Sequence, residues 1–333
     1  MAKDTDFLYV SGRIKYLETK LLGRNDIERI LDAPGPEEAL KLLCDTEYGS
    51  DINEMENMYE FEKALDNSML RAITTLKESF SNHELIRFFT LKYDFHNLKV
   101  AAKSAILGTE NGNFSHLGEI PPEEIKKYAQ EDSSANIPDS IKAAYDRAIE
   151  AYESTSDPQQ VDFVLDRALF DNLNEIVKQS RDPFLRDYLT ALSDLTNIKI
   201  MMRLKKVDAD VRILDNALVS GGSLPKEFFK EKFSESSQSI IDALGNTPYK
   251  QIAEEGISQW ESSGSPSVFE KLIDNFMISL ARRGLYKSFG SETVIGYLAA
   301  RENEIKLLRI IMVGKINGIS SDMIRERLRD VYV

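Results

Sequence analysis

The stretch FFTLKYDFHNLKVAAK, Phe88 to Lys103, occurs three times in this chain. Displaced by 100 residues it returns as YLTALSDLTNIKIMMR, Tyr188 to Arg203. Displaced by 210 it returns as LAARENEIKLLRIIMV, Leu298 to Val313. Asp94 then aligns with Asp194 and Glu304, Leu98 with Ile198 and Leu308, and Lys99 with Lys199 and Arg309. Asn97 aligns with Asn197, whereas the third copy carries Leu307. A repeat at fixed displacement governs how the remaining features are read.

Within the first copy, Phe88, Leu91, Phe95, Leu98 and Ala102 recur at steps of three and four, the apolar stripe of a helix. Each copy then turns apolar on every side, as in Ile200-Met201-Met202, which predicts a buried helix. Asn97 points away from the stripe, and a buried amide there needs hydrogen-bond partners. The starts agree: Ser81 to Glu84 reads as a capping box, Asp182-Pro183 as an N-cap acid with proline in the first turn, and Gly290-Ser291-Glu292 opens the third copy.

The neighbours repeat as well. FEKALDNSML from Phe61 returns as FEKLIDNFMI from Phe269, with VDFVLDRALF from Val161 as a weaker copy. ALKLLCDTEY, ending at Tyr48, resembles IIDALGNTPY, ending at Tyr249. Glycine turns at Gly118, Gly222 and Gly318 each precede a short amphipathic segment. The unit is about 100 residues of helices, a small domain rather than a solenoid repeat. With QEDSSANIP (Gln130 to Pro138) and SESSQS (Ser234 to Ser239) as junctions, the expected domains are 1–130, 131–234 and 235–333. Strand-like alternation is scarce, so the fold class is all-α: three similar helical domains. Helices are expected over Phe7 to Leu22, Glu37 to Cys44, Met55 to Ser79, Asp139 to Tyr152, Gln159 to Lys178 and Ser321 to Val331.

Composition narrows function. A net charge of −13 disfavours nucleic acid and anionic lipid as electrostatic partners. One cysteine, Cys44, excludes an intrachain disulfide, and its place beside Leu42 and Leu43 predicts a buried side chain. MAKDTDFLYV is not a secretory signal, and no uncharged run reaches the length of a bilayer span. The three histidines, His83, His96 and His116, fall at no ligand spacing. No GxxxxGK[ST], GxGxxG or GxSxG motif occurs. Asp94, Asp194 and Glu304 read in two ways: as anchors for a partner's basic residues, or as acids tied to a lysine, arginine or helix end within their own repeat. The basic runs at Arg203 to Lys206 and Arg325 to Arg329 close helices, where cations favour the dipole. No catalytic constellation, cofactor site or metal site is expected; these residues describe a scaffold.

LKYDFHNLKVAAKS, LSDLTNIKIMMR and ENEIKLLRIIMVGKING, with YVSGRIKYLETKLL, TEYG and TPY, resemble the C subunit of the archaeal and bacterial A/V-type rotary ATPases. That protein is similar to the d subunit of the eukaryotic vacuolar enzyme. The resemblance runs from about Phe7 to Val331 and departs at Leu307. It implies a funnel of three domains in pseudo-threefold arrangement, with no active site of its own. It further implies a central-stalk socket on the cytoplasmic face of the membrane. There it would join the shaft (the D and F subunits) to the rotor ring and carry torque for ATP-linked proton or sodium transport. Gly118, Gly222 and Gly318 become candidate ring or shaft contacts. The matched repeat positions Asp94, Asn97, Lys99, Asp194, Asn197, Lys199, Glu304 and Arg309 are structural or coupling residues. The alternative is a free-standing helical-repeat adaptor, which would share the composition and the repeats.

Overall fold

A computed structural model describes residues 4–109 and 112–333, the side chains of 4–6 excepted. The first three residues of MAKDTDFLYV and positions 110 and 111 of the expected loop lie outside the described residues. The described chain is helical throughout, with no strand among the described residues. In order it runs α1 (Asp4–Glu18), α2 (Arg24–Asp32), α3 (Pro36–Cys44), α4 (Gly49–Asn53), α5 (Phe61–Ser79) and α6 (His83–Leu107). Then come α7 (Pro122–Ala129), α8 (Asp139–Thr155), α9 (Gln159–Ser180), α10 (Pro183–Lys206), α11 (Val211–Ala217) and α12 (Lys226–Phe233). The last are α13 (Ser237–Leu244), α14 (Ser258–Ser263), α15 (Ser267–Ala281), α16 (Ser291–Ile316) and α17 (Ser321–Arg327).

The repeated stretch forms α6, α10 and α16. Their shared C-terminal signal is a left-handed residue at matching positions: Gly108 (φ 63°), Asp208 (φ 51°) and Gly318 (φ 67°). In each, the next N–H reaches back across the turn, Thr109 to Ser104 O, Ala209 to Leu204 O and Ile319 to Gly314 O. That pattern satisfies carbonyls that a helix end leaves open. At the start of α10, Asp182 accepts from Leu185 N at 3.0 Å and Pro183 fills the first turn.

The chain forms two compact units, 1–86 with 240–333, and 87–239. In the first, α16 is the central element, buried without a break from Thr293 to Arg301. It packs against α1, α2, α3, α5, α15 and α17. In the second, α9 packs on α8, α10 and α11, and α12 closes on α10 and α11. Ser234 to Ser239 ends the second unit, and Gln130 to Pro138 is the connection between α7 and α8.

Three helix bounds differ by four residues or more from those expected. α1 stops at Glu18, and Leu21 and Leu22 sit in the turn after it, because the Leu22 amide is drawn to Glu304. α5 begins at Phe61 after a 3-10 turn at Met58–Glu60, which Asn57 caps by accepting from Tyr59 N at 3.0 Å. α17 ends at Arg327, after which the chain is pinned in extended form. Cys44 is half-buried, with Sγ 3.4 Å from Leu40 O, rather than fully inside. The TEY and TPY stretches form the same turn. Thr46 Oγ1 donates to Leu43 O at 2.6 Å and accepts from Tyr48 N, while Thr247 Oγ1 donates to Leu244 O at 2.7 Å and accepts from Tyr249 N.

Candidate functional site

Each long helix carries a buried carboxylate that fastens a chain segment where a short helix begins. Asp94 Oδ1 accepts from Ile120 N at 2.9 Å and Oδ2 from Glu119 N at 3.2 Å, just before α7. Asp194 Oδ1 accepts from Leu224 N at 3.0 Å and Oδ2 from the Ser223 hydroxyl at 2.6 Å, just before α12. Glu304 Oε2 accepts from Leu22 N, just before α2. Ile120, Leu224 and Leu22 thus hold one equivalent place, each followed by the N-cap residue of its short helix: Pro121, Pro225 and Gly23. Of the two readings of these acids, the geometry realises the local, helix-end one for Asp94 and Asp194. For Glu304 the helix end lies 282 residues away in sequence.

The third clasp is chemically larger. Tyr48 Oη donates to Glu304 Oε1 at 2.6 Å, and Arg301 Nη1 donates to the same oxygen at 2.6 Å. Arg301 also donates to the Ser68 hydroxyl and stacks 4.3 Å from the Tyr48 ring centroid. All of these groups are buried. Burial pushes the Glu304 carboxyl above its ordinary range, against the pull of Arg301 and the donated hydrogen bonds. Burial likewise pushes Tyr48 well up, and the neighbouring Glu304 adds to it. Asp94 is raised to about 6, by burial first, with its two backbone hydrogen bonds opposing.

Asn97 and Asn197 are buried as well and answer the question of their partners. Asn97 grips both backbone groups of Ser115, at 2.8 Å each, and Asn197 those of Val219, at 3.0 and 2.8 Å. In the third repeat a like grip is made on Asp330. Its carbonyl accepts from Asn303 at 2.8 Å and its N–H donates to Asn275 at 2.9 Å. Two asparagines make that grip, and Leu307, at the position aligned with Asn97 and Asn197, is an apolar core residue.

The cations at the next position face the neighbouring acidic helix. Lys99 pairs with Asp166 and Lys103 with Asp162 of α9, and Arg309 pairs with Glu62 at 2.6 Å and Asp66 at 3.5 Å of α5. Lys199 is likewise engaged by its surroundings. Of the basic runs, Lys205 caps α12 through Phe233 O and Glu235 O, and Arg325 pairs with Glu28, Asp32 and Asp322.

The glycines separate into two kinds. A Cβ on Gly118 would collide with Asp94 Oδ1, and one on Gly222 with Asp194 Oδ1, so both are small to admit the carboxylate. Gly318 touches nothing and takes its place with Gly108 and Asp208 at the helix ends. His96 Nε2 lies 2.9 Å from Asn113 O. No group of three His, Cys, Asp or Glu side chains among the described residues is suited to a metal ion. Sequence reasoning does not place Tyr48, Arg301, Ser68, Asn275 or Asn303 in these clasps. Tyr48 alone leaves a signal, in the duplicated TEY and TPY turn.

The family model of the ATP synthase (C/AC39) subunit matches residues 10–327. The chain belongs to the ATP synthase (C/AC39) subunit family. It is 27% identical to the C subunit of the V-type sodium ATPase of Enterococcus hirae, over 96% of this chain and 97% of that one. It is 23% identical to the C subunit of the A-type ATP synthase of Methanocaldococcus jannaschii (97% and 86% covered). It is 22% identical to the C subunit of the V-type ATP synthase of Deinococcus radiodurans (97% and 91%). As a C/AC39 subunit the chain is a structural rather than a catalytic part of an A/V-type ATPase, and works with the other proteins of that complex. No helix among its described residues is long and apolar enough to cross a membrane.

Proposed function

We propose that this C/AC39 subunit is the central-stalk socket of its ATPase. It joins the shaft, made by the D and F subunits, to the membrane rotor ring on the cytoplasmic face. It carries torque between them during ATP-linked proton or sodium transport. The observation that carries the reading is the fastening of each long helix. All three close a short helix through a buried carboxylate, so the buried polar groups serve stiffness rather than a reacting centre. A body that transmits torque must resist shear, and close-packed helices with satisfied buried polar groups do so. The three repeat domains, 1–130, 131–234 and 235–333, would each present its helix ends to a partner. Gly318, with open space around it, is the glycine turn best suited to such a contact, whereas Gly118 and Gly222 already back their carboxylates.

Purified chain mixed with detergent-solubilised rotor ring, and then with the D and F shaft, tests this by sedimentation at low and moderate salt. One copy per ring with the shaft also bound supports the socket. A well-folded chain that binds neither partner refutes it, and the adaptor alternative then stands. Loss of binding at moderate salt would assign much of the affinity to charge.

A further inference from the structure

We propose that the outer face of α1, with the adjoining Arg282–Tyr286 turn, docks an amphipathic helix of another protein of the complex, one whose flanks are acidic. Three observations converge on this surface. The first is exposed apolar area. Leu8, Tyr9 and Tyr16 on α1 are 57%, 69% and 62% exposed, and Tyr286 is 88% exposed. Lys15 Nζ donates to Gly284 O at 2.8 Å and Leu285 O at 3.2 Å, so the turn lies against α1 one residue away from Tyr16. Large side chains left out together in this way mark an interaction site, and tyrosines are common anchors of one.

The second is shape. Leu8, Gly12 and Tyr16 fall at i, i+4 and i+8 on one line of α1. A Cβ on Gly12 would meet nothing within 4 Å, so the line has a notch between two large side chains. A ridge of one helix seats in such a groove of another. A narrow stripe of this kind suits a helix better than a flat surface.

The third is charge. The chain carries −13 overall, yet residues 7–20 with 282–289 hold six cations and one acid. That acid, Glu18, is buried and engaged by Lys15 and Tyr332. Several of the cations have neutral partners. Arg13 meets the Ser79 hydroxyl, Arg282 the carbonyls of Val331 and Tyr332, and Lys20 the Tyr16 ring. Their charge therefore stands, and acidic flanks on the incoming helix would complement it.

The test places a photo-crosslinking p-benzoylphenylalanine at position 16 or at position 286 of the full chain. The chain is assembled into the complete ATPase, and adducts are mapped by mass spectrometry. Both positions are expected to mark one helical segment of another protein of the complex, with apolar residues at steps of three and four and Asp or Glu beside them. Lys287 already pairs with Glu292 at 3.9 Å, so the charge test is Lys20→Glu, which should lower adduct yield per incorporated chain about fivefold at low salt, with an unchanged unfolding profile. Adducts on lipid alone would make the face a membrane contact and overturn the proposal. A segment without acidic flanks would overturn it, as would the absence of adducts in a complex that contains the chain. None of these outcomes depends on whether the chain is the ring-to-shaft socket.

Discussion

The clasps of unit 87–239 and the clasp of the other unit do one job with different means. Asp94 and Asp194 each hold, with a short side chain, a segment 26 and 30 residues downstream. Glu304 holds a segment 282 residues upstream. On logarithmic scaling, closing the longer loop costs about 2 kcal/mol more than closing the shorter one. The third clasp is correspondingly reinforced by a longer acid, a buried tyrosine and a buried arginine. The N-terminal segment is thereby part of the last repeat: α2 stands to α16 as α7 does to α6 and α12 to α10. Lys315 on Ala33 O, Ser321 on Leu31 O and Arg325 on Glu28 extend the same seam. The start of the chain supplies to the last repeat the short helix that α7 and α12 supply to the other two.

The strongest challenge to this comparison is Glu304→Ala. It strands Arg301 in the core and frees Leu22 N, and should cost about 3–5 kcal/mol. Asp194→Ala removes the acceptor of Leu224 N and of the Ser223 hydroxyl and should cost about 1–3 kcal/mol. Denaturant titration of the two variants compares them directly, and limited proteolysis should show early cleavage near Leu22 only for Glu304→Ala. Equal losses would sink the claim that the distant clasp is the heavier one.

Asn197→Leu copies the residue at the aligned position of the third repeat into the second. The Val219 N–H and carbonyl lose their partner in a buried setting, a cost of about 1–3 kcal/mol. A neutral result would mean that the Asn197 grip on Val219 contributes little to the fold.

Gly222→Ala sets a methyl against Asp194 and should destabilise by about 1–3 kcal/mol. Gly318→Ala meets no atom and is opposed only by its positive φ, about 1 kcal/mol. Thermal melts of the pair would show whether packing or backbone conformation dominates.

The pH response is subtler. Because Asp94 is raised to about 6 in the fold, the folded chain binds its proton at pH values where the unfolded chain has released it. Its contribution to stability therefore grows as pH falls through 6 and is lost as pH rises above it. Denaturation midpoints between pH 7 and pH 5 should shift upward in the wild type relative to Asp94→Asn; a shift in the opposite direction contradicts the assignment. Smallest of all, Lys99→Ala removes a partly exposed pair and should change stability by less than about 1 kcal/mol, measured by the same titration.

The repeat itself was legible because helical periodicity is local. The stripe through Phe88, Leu91, Phe95 and Leu98 needs no knowledge of what lies opposite, and the 100- and 210-residue displacements return in the left-handed ends at Gly108, Asp208 and Gly318. The same displacements singled out Asp94, Asp194 and Glu304 as a set. The target of the third member was hidden. A backbone N–H has no residue signature, and Leu22 reads as an ordinary apolar residue until a carboxylate is found opposite it. Gly318 was grouped with Gly118 and Gly222 because all three are glycines before short helices; only the carboxylates packed against two of them separate a glycine that makes room from one that turns the chain.

Sequence alone determined that the chain is all-α and that a long buried helix recurs three times. Those properties follow from periodicity, composition and residue type, which are carried by near neighbours in the chain. Tertiary structure decided which segments the buried acids fasten, that Asn275 and Asn303 hold Asp330, and that the first helices complete the last repeat. Such choices depend on which distant backbone groups are brought within about 3 Å, and the chain's linear order does not encode that directly.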